Sequence, residues 1–259
     1  MKYIVTTPQS VASVNETMAQ FIKESQLEYI PRRSSSLAKL AAEHGAEGII
    51  VWETEGPILY VENEKLFFHP SMAKVRIAEY RKKGREDLLI KACQLNQEDS
   101  FLDCTLGMGA DAIVAAYFSK TGKITGLEYQ TAVAHVIGWG MKLYHGNMAW
   151  LNQAINRVEV INSDHKEFLR QQGDQSYDIV YFDPMFTKPI WRSQAISPLR
   201  KLANHDALNK DTIQEACRVA RKRVVLKTLL EGVEIERLGF QKVLGSKHNP
   251  IAYGVIIVN

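Results

Sequence analysis

The stretch SFLDCTLGMGADAIVAAYFS, residues 100–119, decides the fold. It opens on a short apolar run, SFLDC, passes through a turn holding Gly107 and Gly109, and continues as ADAIVAAYFS, a helical composition. A strand that empties through a glycine turn into a helix is the start of a strand–helix–strand unit, and four later segments repeat the theme. KITGLE (123–128), RVEVIN (157–162), YDIVYFD (177–183) and RVVLK (223–227) are short, apolar and closed by a polar or turn residue, and DHKEFLRQQ (164–172) reads as a helix between two of them. Continuous apolar strands alternating with helices predict an α/β fold with a parallel sheet covered on both faces. Such a sheet binds its ligand at the carboxyl ends of its strands, where the strand order reverses.

Upstream the pattern differs. The serines at 34–36 ahead of LAKLAAEHG read as an N-cap and a short helix ended by Gly45, and GIIVW (48–52), PILYV (57–61) and KLFFH (65–69) read as a small antiparallel sheet. Residues 1–70 therefore predict a small α+β unit, and two helical stretches, 71–82 and 85–95, lead into the larger domain that runs to residue 259.

Composition narrows the class without naming a partner. In 259 residues, 46% hydrophobic and 24% charged, disorder and collagen-like classes drop out, and a net charge of +3 neither demands nor excludes a polyanion. The three cysteines, Cys93, Cys104 and Cys217, are far apart and odd in number, which argues against a disulfide framework and a zinc cluster and for a reducing, cytoplasmic setting. MKYIVTTPQS has polar residues where a signal peptide needs apolar ones, and no run approaches the roughly 18 apolar residues of a membrane span, so neither secretion nor a membrane partner is expected.

The glycine turn admits two cofactors. Asp103, Gly107, Gly109 and a downstream acid, Glu128, fit a nicotinamide dinucleotide fingerprint loosely. Asp103 separates the readings, because a carboxylate at the strand mouth opposes a pyrophosphate but accepts hydrogen bonds from the ammonium of S-adenosylmethionine, which has no phosphate. Glu128 suits the ribose hydroxyls of either cofactor. Asp164 is a candidate acceptor for an adenine amino group or else an N-cap, and His165 a wall of the base pocket or else a solvated histidine. Asp111 is a first-turn acid complementing its helix dipole, or a cofactor contact.

YDIVYFDPMF, residues 177–186, places an acid, a proline and an aromatic where substrate and cofactor would meet. Asp183 and the Pro184 carbonyl are acceptors for the hydrogens of a flat, weakly nucleophilic amine, and Phe186 can stack on its ring. The bland alternative is a turn followed by a core phenylalanine. Together with the acid and glycine turn on the first strand, the tetrapeptide Asp-Pro-Met-Phe favours the functional reading.

LDCTLGMGADAIVAA, IVYFDPMF and KRVVLK, in this order and spacing, together with KKGREDLLIKA ahead of the first strand, resemble the class I S-adenosylmethionine methyltransferases, and the DPMF form resembles the bacterial 16S ribosomal RNA guanine-N2 methyltransferases. The resemblance covers roughly residues 70–259. It implies a Rossmann-like, seven-stranded sheet with an antiparallel last strand, for which IAYGVIIVN is the candidate, and S-adenosylmethionine as cofactor. It also implies ribosomal RNA or the small ribosomal subunit as partner. Cofactor contacts are implied for Ala110, Asp111, Glu128, Tyr129, Asp164, His165 and Asp183. The chain departs from the family at Met108 and Ala110 in the glycine turn and at Thr187 after Phe186.

For a phosphate-contacting face, Lys74, Arg76, Lys82, Lys83 and Arg85 beside the expected site are the candidates, with Lys188 and Arg192 beyond the fourth strand. RVARKR (218–223) reads as a solvated face as readily as an RNA contact, and Trp191 as a base wall or a loop anchor. A same-fold methyltransferase for a protein or small molecule, a binding module without chemistry, and a dehydrogenase remain alternatives.

Overall fold

YIVT at Tyr3–Thr6 forms β1, four buried residues too short for a sequence pattern to announce. It is followed by α1 (Glu16–Ser25), β2 (Glu28–Tyr29), α2 (Leu37–His44), β3 (Gly48–Glu53), β4 (Gly56–Val61) and β5 (Glu64–Leu66). The computed structural model describes residues 1–11, 13–62, 64–184, 207–230, 233–246 and 249–258. The five strands form one sheet in the order β2-β1-β3-β4-β5. β1 runs parallel to both β2 and β3, while β3, β4 and β5 pair antiparallel. The three expected strands pair antiparallel, and the unread β1 and β2 extend them in parallel into a mixed sheet. Helices intervene on the way from β1 to β2 and from β2 to β3, so the chain returns in the same direction, and only the tight connections after β3 reverse it. α2 is capped as its sequence suggested, with Ser36 accepting from Lys39 N and Gly45 closing it in the left-handed region.

The remaining elements are α3 (Ser71–Lys83), α4 (Leu88–Cys93), β6 (Phe101–Asp103), α5 (Ala110–Phe118), β7 (Ile124–Glu128), α6 (Thr131–Leu143), α7 (Ala149–Ile155), β8 (Val158–Asn162), α8 (His165–Gln171), β9 (Tyr177–Phe182), α9 (Lys210–Val219), β10 (Ala220–Leu229), α10 (Glu234–Leu238), β11 (Lys242–Ser246) and β12 (Asn249–Ile257). Seven of the strands form a second sheet, ordered β11-β12-β10-β9-β6-β7-β8. β8, β7, β6, β9 and β10 are parallel, and β12 is antiparallel to both its neighbours. The strand order reverses between β6 and β9, which fixes the crevice there.

Alternation along the strands sorts the core. Leu102, Val180, Phe182, Val224 and Leu226 pack with Leu169 of α8, Ile213 and Ala216 of α9 and Leu238 of α10. Tyr181, between Val180 and Phe182, points the other way and reaches Asp111 on α5. β11 went unread because Lys, Gly and Ser dilute its apolar pattern.

α6 clusters with residues 1–69 rather than with the larger sheet. Its Trp139 stacks edge-on with Phe21 and Trp52, donates from Nε1 to Glu24 at 3.0 Å, and so shares a buried aromatic cluster with α1 and β3.

The basic run RVARKR lies at the amino-terminal edge of the seven-stranded sheet and is absorbed there. Arg218 donates to the carbonyls of Leu169 and Gln172 and to Asp174 and Glu215. Arg221 and Lys222 pair with Asp178 and Asp99, and Arg223 with Gln94. These side chains brace the ends of β6, β9 and β10, away from the crevice. Asp178 is the hub: its Oδ2 accepts from Ser100 N at 2.9 Å, from Ser100 Oγ at 2.8 Å and from Arg221 at 3.0 Å. Burial resists its ionisation, but the Ser100 bonds and the Arg221 and Lys222 charges outweigh that and hold its carboxyl below the ordinary value. A depressed carboxyl stabilises the fold above its unfolded pKa and loses that contribution as pH falls. Asp178→Ala, which leaves the buried Ser100 amide without its acceptor, is expected to lower stability in urea by about 2 kcal/mol at neutral pH. The gap to the parent protein should narrow below about pH 4; a gap that widens on acidification would contradict the assignment.

Candidate active site

β6 ends at Asp103, and the turn after it is stitched to both neighbouring strands. Cys104 N donates to Tyr181 O of β9 at 2.8 Å, and Leu106 N to Leu127 O of β7 at 2.8 Å. Gly107 and Gly109 take φ of +51° and +74°, a region that side chains disfavour, and Gly109 caps the start of α5. The glycine spacing is therefore a backbone requirement.

Three acids border this one turn. Asp103 is buried and accepts from Thr105 N at 3.0 Å. Glu128, at the end of β7, accepts from Gly107 N at 3.2 Å. Asp183, just past β9, donates its backbone N–H to Thr105 Oγ1 at 2.6 Å. The acidic residues expected from three different strand mouths thus border residues 103–107, Asp103 and Glu128 by their carboxylates and Asp183 by its backbone.

A second layer of charge lies behind them. Asp183 Oδ2 accepts from Lys227 Nζ of β10 at 2.7 Å, and the same ammonium donates to Asp111 Oδ2 at 3.1 Å. Asp111 also accepts from Tyr181 Oη at 2.9 Å and from Arg76 at 2.5 Å, and Arg76 holds Asp87 with two further bonds of 2.8 Å. Burial pushes the Asp183 carboxyl up to about 6, Asp111 adds to the rise, and Lys227 restrains it. Burial likewise raises Asp111, but Lys227 and Arg76 outweigh it and hold that carboxyl well below the ordinary range. Lys227 stays protonated, since Asp111 and Asp183 outweigh its burial.

This layer alters two expectations. Arg76, expected on a phosphate-contacting face, is turned inward with its guanidinium held between Asp87 and Asp111. Asp111, expected as a cofactor contact, has both oxygens engaged within the protein. Lys227 went unrecognised because a lysine closing an apolar strand reads as a simple terminator; its position at the end of the strand next to Asp183 is the signal that identifies it.

The other expected residues lie as follows. Ala110 opens α5 and Tyr129, half exposed, follows β7. Asp164 caps α8, accepting from Lys166 N at 2.6 Å, so its bland role is realised. His165 sets its ring edge-on to Phe182 at 5.8 Å. Pro184 follows Asp183 and is partly buried. Lys74, Lys82, Lys83 and Arg85 are exposed on or just after α3, with Lys83 paired to Glu79. Phe186, Lys188, Trp191 and Arg192 lie outside the described residues.

The turn fits a donor with a cationic head group. Residues 103–110 carry a carboxylate and no lysine or arginine. Asp103 has its carboxyl pushed well up by burial and then by Asp111. An ammonium placed against it relieves both effects, whereas a pyrophosphate adds to them.

Comparison with known proteins gives the same answer. Residues 58–248 match the family described as "Putative SAM-dependent methyltransferase". The chain belongs to this methyltransferase family. Its cofactor is S-adenosylmethionine. The "Uncharacterized protein YpiP" of Bacillus subtilis (strain 168) is 35% identical over 242 residues, 93% of each chain. A ribosomal RNA small subunit methyltransferase J of Acinetobacter baylyi is 29% identical over 114 residues, 43% of this chain and 41% of that one. The protein of that name from Buchnera aphidicola is 28% identical over 173 residues, 63% of this chain and 66% of its own. The crystal structure of a SAM-dependent methyltransferase from Neisseria gonorrhoeae shares the fold, with a TM-score of 0.68 at 21% identity over 99% of this chain and 96% of the other.

In the methyltransferase, Glu128→Ala removes a charged acceptor whose worth is about 1.5 to 3 kcal/mol. Isothermal calorimetry with S-adenosylhomocysteine is expected to show affinity weakened by roughly 10- to 100-fold. Unchanged affinity would place the ribose elsewhere.

Proposed function

We propose that the methyltransferase acts on an exocyclic amine of a nucleobase, guanine N2 of small-subunit ribosomal RNA. The observation that carries the reading is the bond from Asp183 N to Thr105 Oγ1, which fixes the Asp-Pro pair beside the cofactor turn. Relatives named ribosomal RNA small subunit methyltransferase J support the substrate class.

S-adenosylmethionine, when bound, supplies an electrophilic methyl group on a sulfonium. The protein's task is to present a nitrogen lone pair to it. Asp183 and the Pro184 carbonyl accept the amine's two hydrogens, which turns the lone pair outward and raises its electron density. Asp183 then takes the proton that the amine sheds on methylation. A carboxyl pushed up to about 6 is well matched to this, being ionised at neutral pH yet more basic than an ordinary aspartate. Asp103 and Glu128 hold the cofactor, with Gly107, Gly109, Ala110, Tyr129, Asp164 and His165 completing its cradle. Phe186 is assigned to stack on the base, and Lys74, Lys82, Lys83, Arg85, Lys188 and Arg192 to contact phosphates, which makes binding fall steeply with salt. A ribosomal RNA substrate implies a cytoplasmic enzyme.

Asp183→Ala is expected to abolish methyl transfer while retaining cofactor binding by calorimetry. In the parent enzyme, kcat should rise with pH through about 6 as Asp183 ionises. Mass-spectrometric mapping of ribosomal RNA from cells with and without the gene should reveal one N2-methylguanine that disappears. Identical methylation in both would overturn the RNA assignment and favour a protein or small-molecule substrate.

A further inference from the structure

Five ionisable groups stand in a row of alternating sign behind the crevice: Asp87, Arg76, Asp111, Lys227 and Asp183. Each contact is short, and the side chains of Asp111 and Lys227 are only 9% and 17% exposed. The row begins on the helical lead-in, since Arg76 belongs to α3 and Asp87 caps α4 through Leu89 N at 2.9 Å. It ends on Asp183, the acceptor proposed above.

The geometry of the row is asymmetric in a useful way. Arg76 is forked: Nε and Nη2 grip Asp87 while Nη1 reaches Asp111 Oδ1. Asp111 Oδ2 is shared between Tyr181 Oη and Lys227 Nζ. Asp111 therefore has no freedom to turn, and the ammonium it anchors is set against one oxygen of Asp183, Oδ2, at 2.7 Å. A carboxylate has two oxygens, and taking one fixes the plane in which the other is offered.

We infer that Lys227 is the positioning residue of the methyl-transfer site: anchored by Asp111 and, through Arg76, by the helical lead-in, it holds Oδ2 of Asp183 so that Oδ1 faces the amine as an ionised acceptor. This rests on Asp183 being the amine's acceptor, as proposed above. The groups that bear on Asp183 are Lys227 from β10, Asp111 from α5, Arg76 from α3, Asp103 from β6 and Tyr181 from β9, while Tyr253 from β12 bears on Lys227 and Asp111. Lys227 is the cation in contact with it among the described residues, so removing its charge leaves Asp183 facing Asp111 and Asp103 across a buried site. Asp183 then binds its proton more tightly.

The test compares Lys227→Met and Lys227→Arg with the parent enzyme, each first shown by calorimetry to bind S-adenosylhomocysteine. The acid limb of the kcat profile is expected to move up by roughly one pH unit or more in Lys227→Met, with activity recovering at alkaline pH and KM for RNA little changed. Lys227→Arg should retain the parental limb. A limb that does not move, or an activity lost equally at every pH, would overturn the inference. Carboxylate NMR titration without substrate, with Asp183 assigned by the signal missing in Asp183→Asn, separates this claim from the substrate reading. If Asp183 titrates higher in Lys227→Met while the parent enzyme itself methylates no RNA, the hold of Lys227 on Asp183 stands and the substrate assignment fails. If its titration is unchanged, Lys227 has no such role.

Discussion

A lysine ammonium buried at the mouth of a parallel sheet needs carboxylates around it, and carboxylates packed that closely need the ammonium. Lys227 between Asp111 and Asp183 is that mutual requirement in this methyltransferase. Its consequences run both ways along the chain. Toward the amino terminus, Asp111 is fixed by Arg76 and Asp87, which orders α3 and α4 against the start of α5. Toward the crevice, Asp183 accepts from Lys227 and donates its backbone N–H to the turn that carries Asp103 and meets Glu128.

The sheet makes this possible through topology. Because the strand order reverses between β6 and β9, the carboxyl ends of these two strands diverge from their connections and leave a crevice. Residues that close each strand then face one space although they are remote in sequence. The opposite end of the same sheet carries the structural charge, with Asp178, Asp99 and the arginines around 218–223 bracing strand starts. Ion pairs at the two ends differ in place: one set ties strand starts together, the other holds Asp183, the proposed acceptor, at the strand ends.

How much of this was legible follows from where each signal lives. Strand-end acids after apolar runs are visible in sequence, so Asp103, Glu128 and Asp183 could be brought to one crevice by the position rule alone. The five parallel strands and the glycine turn were legible from the same apolar runs and turns, whereas the antiparallel last strand was expected only from the family resemblance. Arg76 was not legible, because α3 is rich in basic residues; its neighbour at helical spacing, Ala73, and the adjacent Ile77, both buried, mark the inward side on which it lies. Lys227 was hidden by its ordinary identity as a strand terminator. β1 escaped notice because four residues cannot display a period, and its pairing with β3 depends on contacts remote in sequence.

One crevice is proposed to hold the cofactor by Asp103 and Glu128 and, beside it, an acceptor locked by Lys227. A crystal structure with S-adenosylhomocysteine tests it most directly. The account predicts the ligand's ammonium against Asp103, its ribose hydroxyls on Glu128, and the Lys227–Asp183 contact intact. A ligand bound away from those acids, or a Lys227 that has left Asp183 to hold the ligand, would contradict it.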